Sequence, residues 1–348
     1  MLITDGDRRG LVAALAAVPD PRRRRGVRYP FTPVLAVAVC AMLAGARSFA
    51  AIGEWVADLP EQARAGLGLT SAVPGPVRIW RVLVAVDIAA LEAAIGAWLR
   101  TCLDQVRAAA VAAQPGSRVS RRVLAVDGKT LRATRHGQDP VHLLAALDHA
   151  AGVVVARVDV DAKSNEIPYF STLLDQIDDL TDVVISVDAM HPQTAHAEYL
   201  HARGAHLLVT VKGNQPKLRN RLKALPWNDI PVGHASSGRA HARLENRTLK
   251  AATVPAGLGF PHAAQAIQVV RKTRPIKPVT GKRARWRTEI VYAICSLPAE
   301  HAQPTELATW IRQHWSIENR LHYVRDVTLG EDLHQARTGN GPQVMAAL

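Results

Sequence analysis

Three carboxylates are placed where they could do chemistry together. Asp127 closes the apolar run Arg122–Asp127 (RVLAVD), and Asp188 closes Val183–Asp188 (VVISVD). A charge that ends a buried run is costly unless something pairs with it. In α/β sheets the carboxyl ends of strands form the crevice where ligands bind. Either Asp alone reads equally well as a turn residue, but two at the matching ends of apolar strands point to a shared site. Glu318, in HWSIENRLH, is the best third acid. On its helix Trp310, Ile311, His314, Ile317, Leu321 and Val324 make an apolar face, with Glu318 at the border. The other reading of Glu318 is an exposed helical Glu paired with Arg320 or Arg325, and periodicity alone does not separate the two. The chemistry that suits three carboxylates is phosphodiester cleavage. Two divalent ions about 4 Å apart stabilise both the attacking and the leaving oxygen. Mg²⁺, with Mn²⁺ as a substitute, takes hard oxygen ligands and keeps some of its waters, so a few carboxylates suffice and no His or Cys base is required.

The elements that must position these acids follow from pattern. Residues 1–115 read as a helical N-terminal domain, with Ala- and Leu-rich stretches at Leu11–Val18, Thr32–Ala44, Phe49–Ala57 and Ile88–Ala113 punctuated by prolines. After a polar link at Gln114–Ser120 the pattern changes. Strands are expected at Arg122–Asp127, Val141–Leu147, Val153–Val160, Val183–Asp188 and His206–Val211. Helices are expected near Ile167–Ile177, Gln193–Arg203 and Gln215–Leu225, the last capped by Asn214 or its neighbour. Residues 226–299 read as a β-rich insertion, with short β-like runs at Arg247–Val254, Ala266–Val270 and Glu289–Cys295. A long helix then begins near Thr305 and runs to about Val324. Three early strands with a crossover to a fourth and fifth is the order of a ribonuclease H-like α/β core, here expected at residues 120–225 and 300–348.

Net charge is +13 across 348 residues, with 48% hydrophobic and 21% charged residues. That is globular composition, and the positive excess suits a polyanion. The run Arg22-Arg23-Arg24-Arg25 reads either as a solvated face or as a phosphate-contacting loop. Lys129, two after Asp127, and Lys212, after the fifth strand, are placed to meet phosphate or to be merely solvated. Trp286 lies in the basic stretch Arg271–Arg287, where it could stack on an unpaired base or decorate a solvated hairpin. Glu166, at an expected helix start, reads as a favourable charge on the helix dipole rather than a metal ligand. His191, His196, His201 and His206 recur every five residues, which does not keep one helical face, and read as scattered. Cys40, Cys102 and Cys295 are far apart, without a disulfide framework or a Cys-x-x-Cys zinc signature, which implies a reducing cytoplasm. The most apolar stretch, Pro33–Ala44, is too short to span a bilayer, so no membrane role is expected.

Five blocks carry a resemblance: LAVDGKTLRATR (124–135), DAKSNEIPYFSTLL (161–174), VVISVDAMHPQTA (183–195), LLVTVKGNQPKL (207–218) and IRQHWSIENRLHYVRDVTLGEDLHQAR (311–337). In that order they resemble the H-repeat-associated, ISAs-type insertion-sequence transposases of the insertion-sequence-four group. The N-terminal VPDPRRRRGVRYPF and LAVAVCAMLAGARSFAAIGEW are similar to that family's associated helical domain. The resemblance implies a ribonuclease H-like core with a β insertion before the last catalytic helix. It implies metal-dependent cleavage at the ends of a mobile element and transfer of the freed 3′-hydroxyl to target DNA. By motif, the two Asp and the Glu of the family's catalytic triad are Asp127, Asp188 and Glu318. The implied partner is double-stranded DNA, both element ends and target, with two copies of the chain on paired ends in the bacterial cytoplasm. The wider group's Tyr, Arg, Glu, Lys signature becomes Ile311, His314, Glu318 and Arg325 here. His314 and Arg325 could meet phosphate, whereas Ile311 has no phenol hydroxyl. Family members continue with further helix beyond the point reached by Leu348, so a truncated, non-catalytic DNA-binding derivative is the alternative expectation.

Overall fold

The structure, a computed structural model, describes residues 5–23, 27–70, 72–113, 121–130, 142–161, 166–240, 242–276, 284–315, 317, 321 and 340–348. Six helices come first: α1 (Asp5–Leu15), α2 (Phe31–Leu43), α3 (Phe49–Asp58), α4 (Glu61–Gly66), α5 (Pro76–Leu83) and α6 (Ile88–Ala113). α2 is apolar nearly all round, so it can only be stable inside, and Val34 to Val39 are buried without a break. Gly45, at φ +101°, turns the chain after α2. The Ser48 hydroxyl then accepts the Ala51 amide at 3.1 Å and caps α3. At Gly53 a Cβ would lie 2.5 Å from Pro76, so the small residue is what lets α3 and α5 touch. All of these helices except α4, which buries no residue, share one apolar core. α4 and α5 are additional to the expected helices. Each follows a Pro or Gly-Pro start that reads as loop punctuation.

Five strands and three helices follow: β1 (Val123–Thr130), β2 (His142–Asp148), β3 (Val153–Val160), α7 (Tyr169–Leu174), β4 (Val184–Val187), α8 (Thr194–Ala202), β5 (His206–Val211) and α9 (Pro216–Lys223). Four long strands come next, β6 (His234–Ala240), β7 (Arg243–Thr253), β8 (Gln265–Pro275) and β9 (Arg287–Cys295), and then α10 (Pro304–His314) and α11 (Gly341–Ala347). All nine strands belong to one sheet, in the order β3-β2-β1-β4-β5-β9-β8-β7-β6. β1 pairs antiparallel with β2 and parallel with β4, and β4 pairs parallel with β5. The expected insertion does not form a sheet of its own. β9 adds antiparallel to β5, covering an edge that would otherwise expose unpaired backbone groups.

Three details differ from the sequence reading. α7 is only six residues long, shorter than Ile167–Ile177. Asn214 does not cap α9; its side-chain amide crosses to the Ala189 carbonyl, next to Asp188. α10 is entered one residue earlier than Thr305-Glu306 suggests, at Pro304, through a reciprocal box between Gln303 and Glu306.

The sheet has two unlike faces. Leu124, Val126, Ile185 and Val187 pack toward α7, α8 and α9 around the fully buried Phe170. Val123 and Val184 pack toward α10, and Ala125 and Leu147 toward Ile317. α6 lies along the β3 edge, where Arg100 donates to the Val155 carbonyl at 2.7 Å. α11, expected with the catalytic core, instead puts Val344 and Met345 into the helical cluster, and Asn340 donates to the Val86 carbonyl at 3.1 Å. Among the described residues no single helix is long and apolar enough to cross a membrane.

Glu92 of α6 and Arg157 of β3 form an ion pair between side chains only 12% and 6% exposed. Removing one partner strands the other's charge in the interior, which typically costs about 3–5 kcal/mol, whereas replacing both with apolar groups is often near neutral. Glu92→Ala is therefore expected to lower the urea midpoint far more than the double variant Glu92→Leu/Arg157→Met. Equal losses in the two proteins would locate the cost in packing and not in the stranded charge.

Candidate active site

The site is built by strand register. Val126 of β1 lies opposite Val187 of β4 in a parallel pair, so the next residues, Asp127 and Asp188, leave neighbouring strands side by side. The strands are about 4.8 Å apart and side chains alternate faces. Val123 and Ala125 point to the α10 side, as do Val184 and Ser186, so Asp127 and Asp188 share that face. On β5 the same alternation brings Leu208, Thr210 and Lys212 to it.

Asp188 is held ionised. Burial works against its charge, but the Ala189 amide, the Lys212 ammonium and the Thr210 hydroxyl together keep its carboxyl below the ordinary range. Lys212 Nζ lies 3.0 and 3.2 Å from the two carboxylate oxygens, and Thr210 Oγ1 donates at 3.1 Å. Lys212, expected either at phosphate or merely solvated, is here a cation seated on an acid. Asp127 is half-buried, as is Lys129 two residues on and on the same face. Glu318 and Arg325 lie outside the described residues, as do Arg24 and Arg25. Flanking Glu318, Ile317 and Leu321 pack on Ala125 and Leu147, two residues from Asp127 along β1. Among the described residues no three His, Cys, Asp or Glu form a metal-holding group. The donors at the strand ends are hard carboxylate oxygens, and one pair already holds an ammonium cation, which fits a divalent ion with oxygen ligands.

Two expected DNA contacts are differently employed. His314 points at the sheet: its Nδ1 is 3.1 Å from Ser186 Oγ, which is 3.0 Å from His149 Nε2 and 3.3 Å from the Leu124 carbonyl. Burial, against the pull of the Asp188 carboxylate, holds its pKa at about 4, so it is neutral and no phosphate-gripping cation. Arg22 spends its guanidinium on both Asp20 oxygens at 2.8 Å and on the Tyr29 carbonyl at 2.9 Å, bracing the turn into α2, while Arg23 stays exposed. Trp286 is 42% exposed, with the Arg274 guanidinium 5.1 Å over its ring. Because Tyr292 pairs with Val211, β9 overshoots the carboxyl end of β5, and Trp286 projects from the same end of the sheet as the two Asp.

Sequence reasoning missed one cluster. Glu166 is no helix cap; it is buried behind β1 with Oε1 2.8 Å from His142 Nε2 and Oε2 3.1 Å from His191 Nε2. Burial opposes its charge, but the two imidazole bonds win and bring its pKa down to about 2. A Cβ at Gly128 would lie 1.9 Å from Glu166 Oε1. The available signal was the buried-run context of DGK and the lone acid in KSNEI.

Residues 118–348 match the family described as Transposase DDE domain, and residues 12–99 the one described as DDE_Tnp_1-associated. YncI of Escherichia coli O157:H7, named as a transposase, is 27% identical, covering 97% of this chain and 85% of its own length. YhhI of Escherichia coli K12, named as an H repeat-associated transposase, is 28% identical over 97% of this chain and 88% of its own. An uncharacterised protein of Xanthobacter autotrophicus is 31% identical over 67% of this chain and 77% of its own. Among solved structures, the piggyBac transposase synaptic complex with hairpin DNA aligns at 11% identity and TM-score 0.37, covering 99% of this chain and 71% of that one.

The neutral His314 has a measurable consequence. Its folded pKa of about 4 lies below its value near 6.5 in an unfolded chain. Between those values the unfolded chain binds the extra proton, so stability is lost as pH falls from about 6.5 to about 4. Urea unfolding of His314→Asn, followed through this window, is expected to show a shallower loss than wild type. Identical slopes would mean that His314 is solvated and takes up its proton without cost.

Proposed function

Since the chain belongs to the DDE-type transposases of the H-repeat family, we propose that it cuts DNA at the ends of a mobile element and joins the freed 3′-hydroxyl to target DNA. Asp127, Asp188 and Glu318 would hold two Mg²⁺, or Mn²⁺ in their place. The observation that carries this reading is the Val126–Val187 register, which sets Asp127 and Asp188 together on the face where Ile317 packs. The order β3-β2-β1-β4-β5 supports a ribonuclease H-like core, with 226–299 as an inserted β unit and residues 1–115 as a helical N-terminal domain.

Bound ions would supply charge stabilisation at the attacking and leaving oxygens. The protein's own groups do the rest. Asp188 stays ionised, and Thr210 fixes one of its oxygens. Lys212, half-exposed on a flexible stem, can leave the carboxylate for a phosphate oxygen when a cation takes its place. Neutral His314 holds α10 to β4 through Ser186 and so fixes the helix that leads to Glu318. The outer parts of β8 and β9, with Arg271, Lys272, Arg274, Arg285 and Arg287 around Trp286, give a basic arm at the same end for gripping duplex DNA. Two copies of the chain would act on paired ends.

Cleavage of the flanking element's end DNA with Mg²⁺ or Mn²⁺ tests the reading. Asp127→Asn, Asp188→Asn and Glu318→Gln are each expected to lose about a thousandfold or more in cutting, about 4 kcal/mol of barrier, while still shifting end DNA on a gel. Wild-type protein that binds the ends and does not cut them would instead be a non-catalytic end-binding protein.

A further inference from the structure

We propose that Glu166 is a positioning residue that sets the spacing of Asp127 and Asp188 from behind the sheet. The inference rests on the metal-dependent reading above. Glu166 makes contact with three segments at once. Its carboxylate fills the space a side chain would take at Gly128, the residue after Asp127. Through Oε1 it holds His142 of β2, whose other nitrogen is 2.9 Å from Thr130 Oγ1 at the end of β1. Through Oε2 it holds His191, whose amide closes a turn onto the Asp188 carbonyl at 3.1 Å. The strand carrying the first acid and the turn carrying the second are thereby tied to one carboxylate. His196 extends the tie: its Nδ1 is 3.3 Å from the His191 carbonyl, its Nε2 is 3.1 Å from the Ile167 carbonyl, and its ring stacks on Phe170 at 4.0 Å.

The placement argues against Glu166 as a ligand. Both oxygens are committed to imidazoles, and the side chain lies on the α7 face, whereas Asp127 and Asp188 lie on the α10 face. Its charge does a second job. A carboxylate accepts an N–H on each of its two oxygens, whereas an amide accepts only on its one oxygen and donates from its NH₂. With Gln at 166 one of the two imidazoles would face an NH₂ group, and the tie to β1 or to the Asp188 turn would open on that side.

The test is equilibrium Mn²⁺ binding to the full chain, counted as free Mn²⁺ by electron paramagnetic resonance, with melting temperature recorded alongside. Glu166→Gln is expected to raise the Mn²⁺ dissociation constant about tenfold, the usual loss when a supporting partner of a metal site is removed, with metal-free end-DNA binding unchanged. Glu166→Asp, which keeps the charge, should recover part of the affinity. If Glu166→Gln fails to fold, His142→Asn carries the test, with a rise of about threefold expected from cutting one arm. An unchanged dissociation constant in a protein where Asp188→Asn abolishes binding overturns the positioning role and leaves the metal reading standing. Complete loss in Glu166→Gln, as in Asp188→Asn, overturns it the other way, by making Glu166 a ligand. Wild type that binds no Mn²⁺ removes the metal reading and this inference with it.

Discussion

Val126 and Val187 lie opposite each other in a parallel strand pair, and the candidate site depends on that contact. A slip of one residue would turn one of the two following acids to the far face, because side chains alternate with a period of two. The register is held from both sides. Val126 and Val187 are buried with Phe170 on one face, and Val123, Val184 and the α10 side chains close the other. A slip would therefore carry apolar side chains out of two cores at once. The chemistry inherits its precision from packing several residues upstream.

The same alternation explains the tripeptide Asp127-Gly128-Lys129. Asp127 and Lys129 face α10, the side of the proposed metal site. Gly128 faces α7, and its missing side chain is the space Glu166 occupies. Acids on the two faces of the sheet would repel each other if both were bare. Glu166 is already satisfied by two imidazoles, and Asp188 is satisfied by Lys212, a partner that is half exposed and can move. Glu166 has fixed partners and Asp188 an exchangeable one, which is the division expected between a support and the ligand proposed for Asp188.

How much of this was legible in the sequence depended on range. Strand existence was legible, because β1, β3, β4 and β5 are apolar runs with clear ends, and Asp127 and Asp188 stand at two of those ends. β6 was not, since HASSGRA is short, polar and without alternation, and it is a strand because β7 pairs with it. That β9 joins β5, making one sheet of the core and the insertion, is a pairing across the whole insertion that no local pattern carries. Glu166 was misread for the same reason. Its neighbours in the chain suggest a helix start, while its partners come from β2 and from the turn after β4. His314 looked like a substitute for a basic residue, yet burial makes it neutral. Only Arg22 was within reach of local reading, because Asp20 is two residues away and an exposed pair of that kind forms readily.

α10 is what joins these parts into one device. Its apolar side chains Leu307 and Trp310 seat it on Val184, Leu208 and Ala293, and His314 fixes its last turn to Ser186. Ser186 stands two residues before Asp188 on the same face of β4. The helix is therefore anchored on the strand that delivers the second acid, while Ile317, further along the chain, packs on the strand that delivers the first. Ser186 and Ala125 are register partners, so the two anchors lie side by side on β4 and β1, two residues before Asp188 and Asp127. The residue following Ile317 is Glu318. The proposal of Glu318 as the third acid rests on these two anchor points and on its carboxylate.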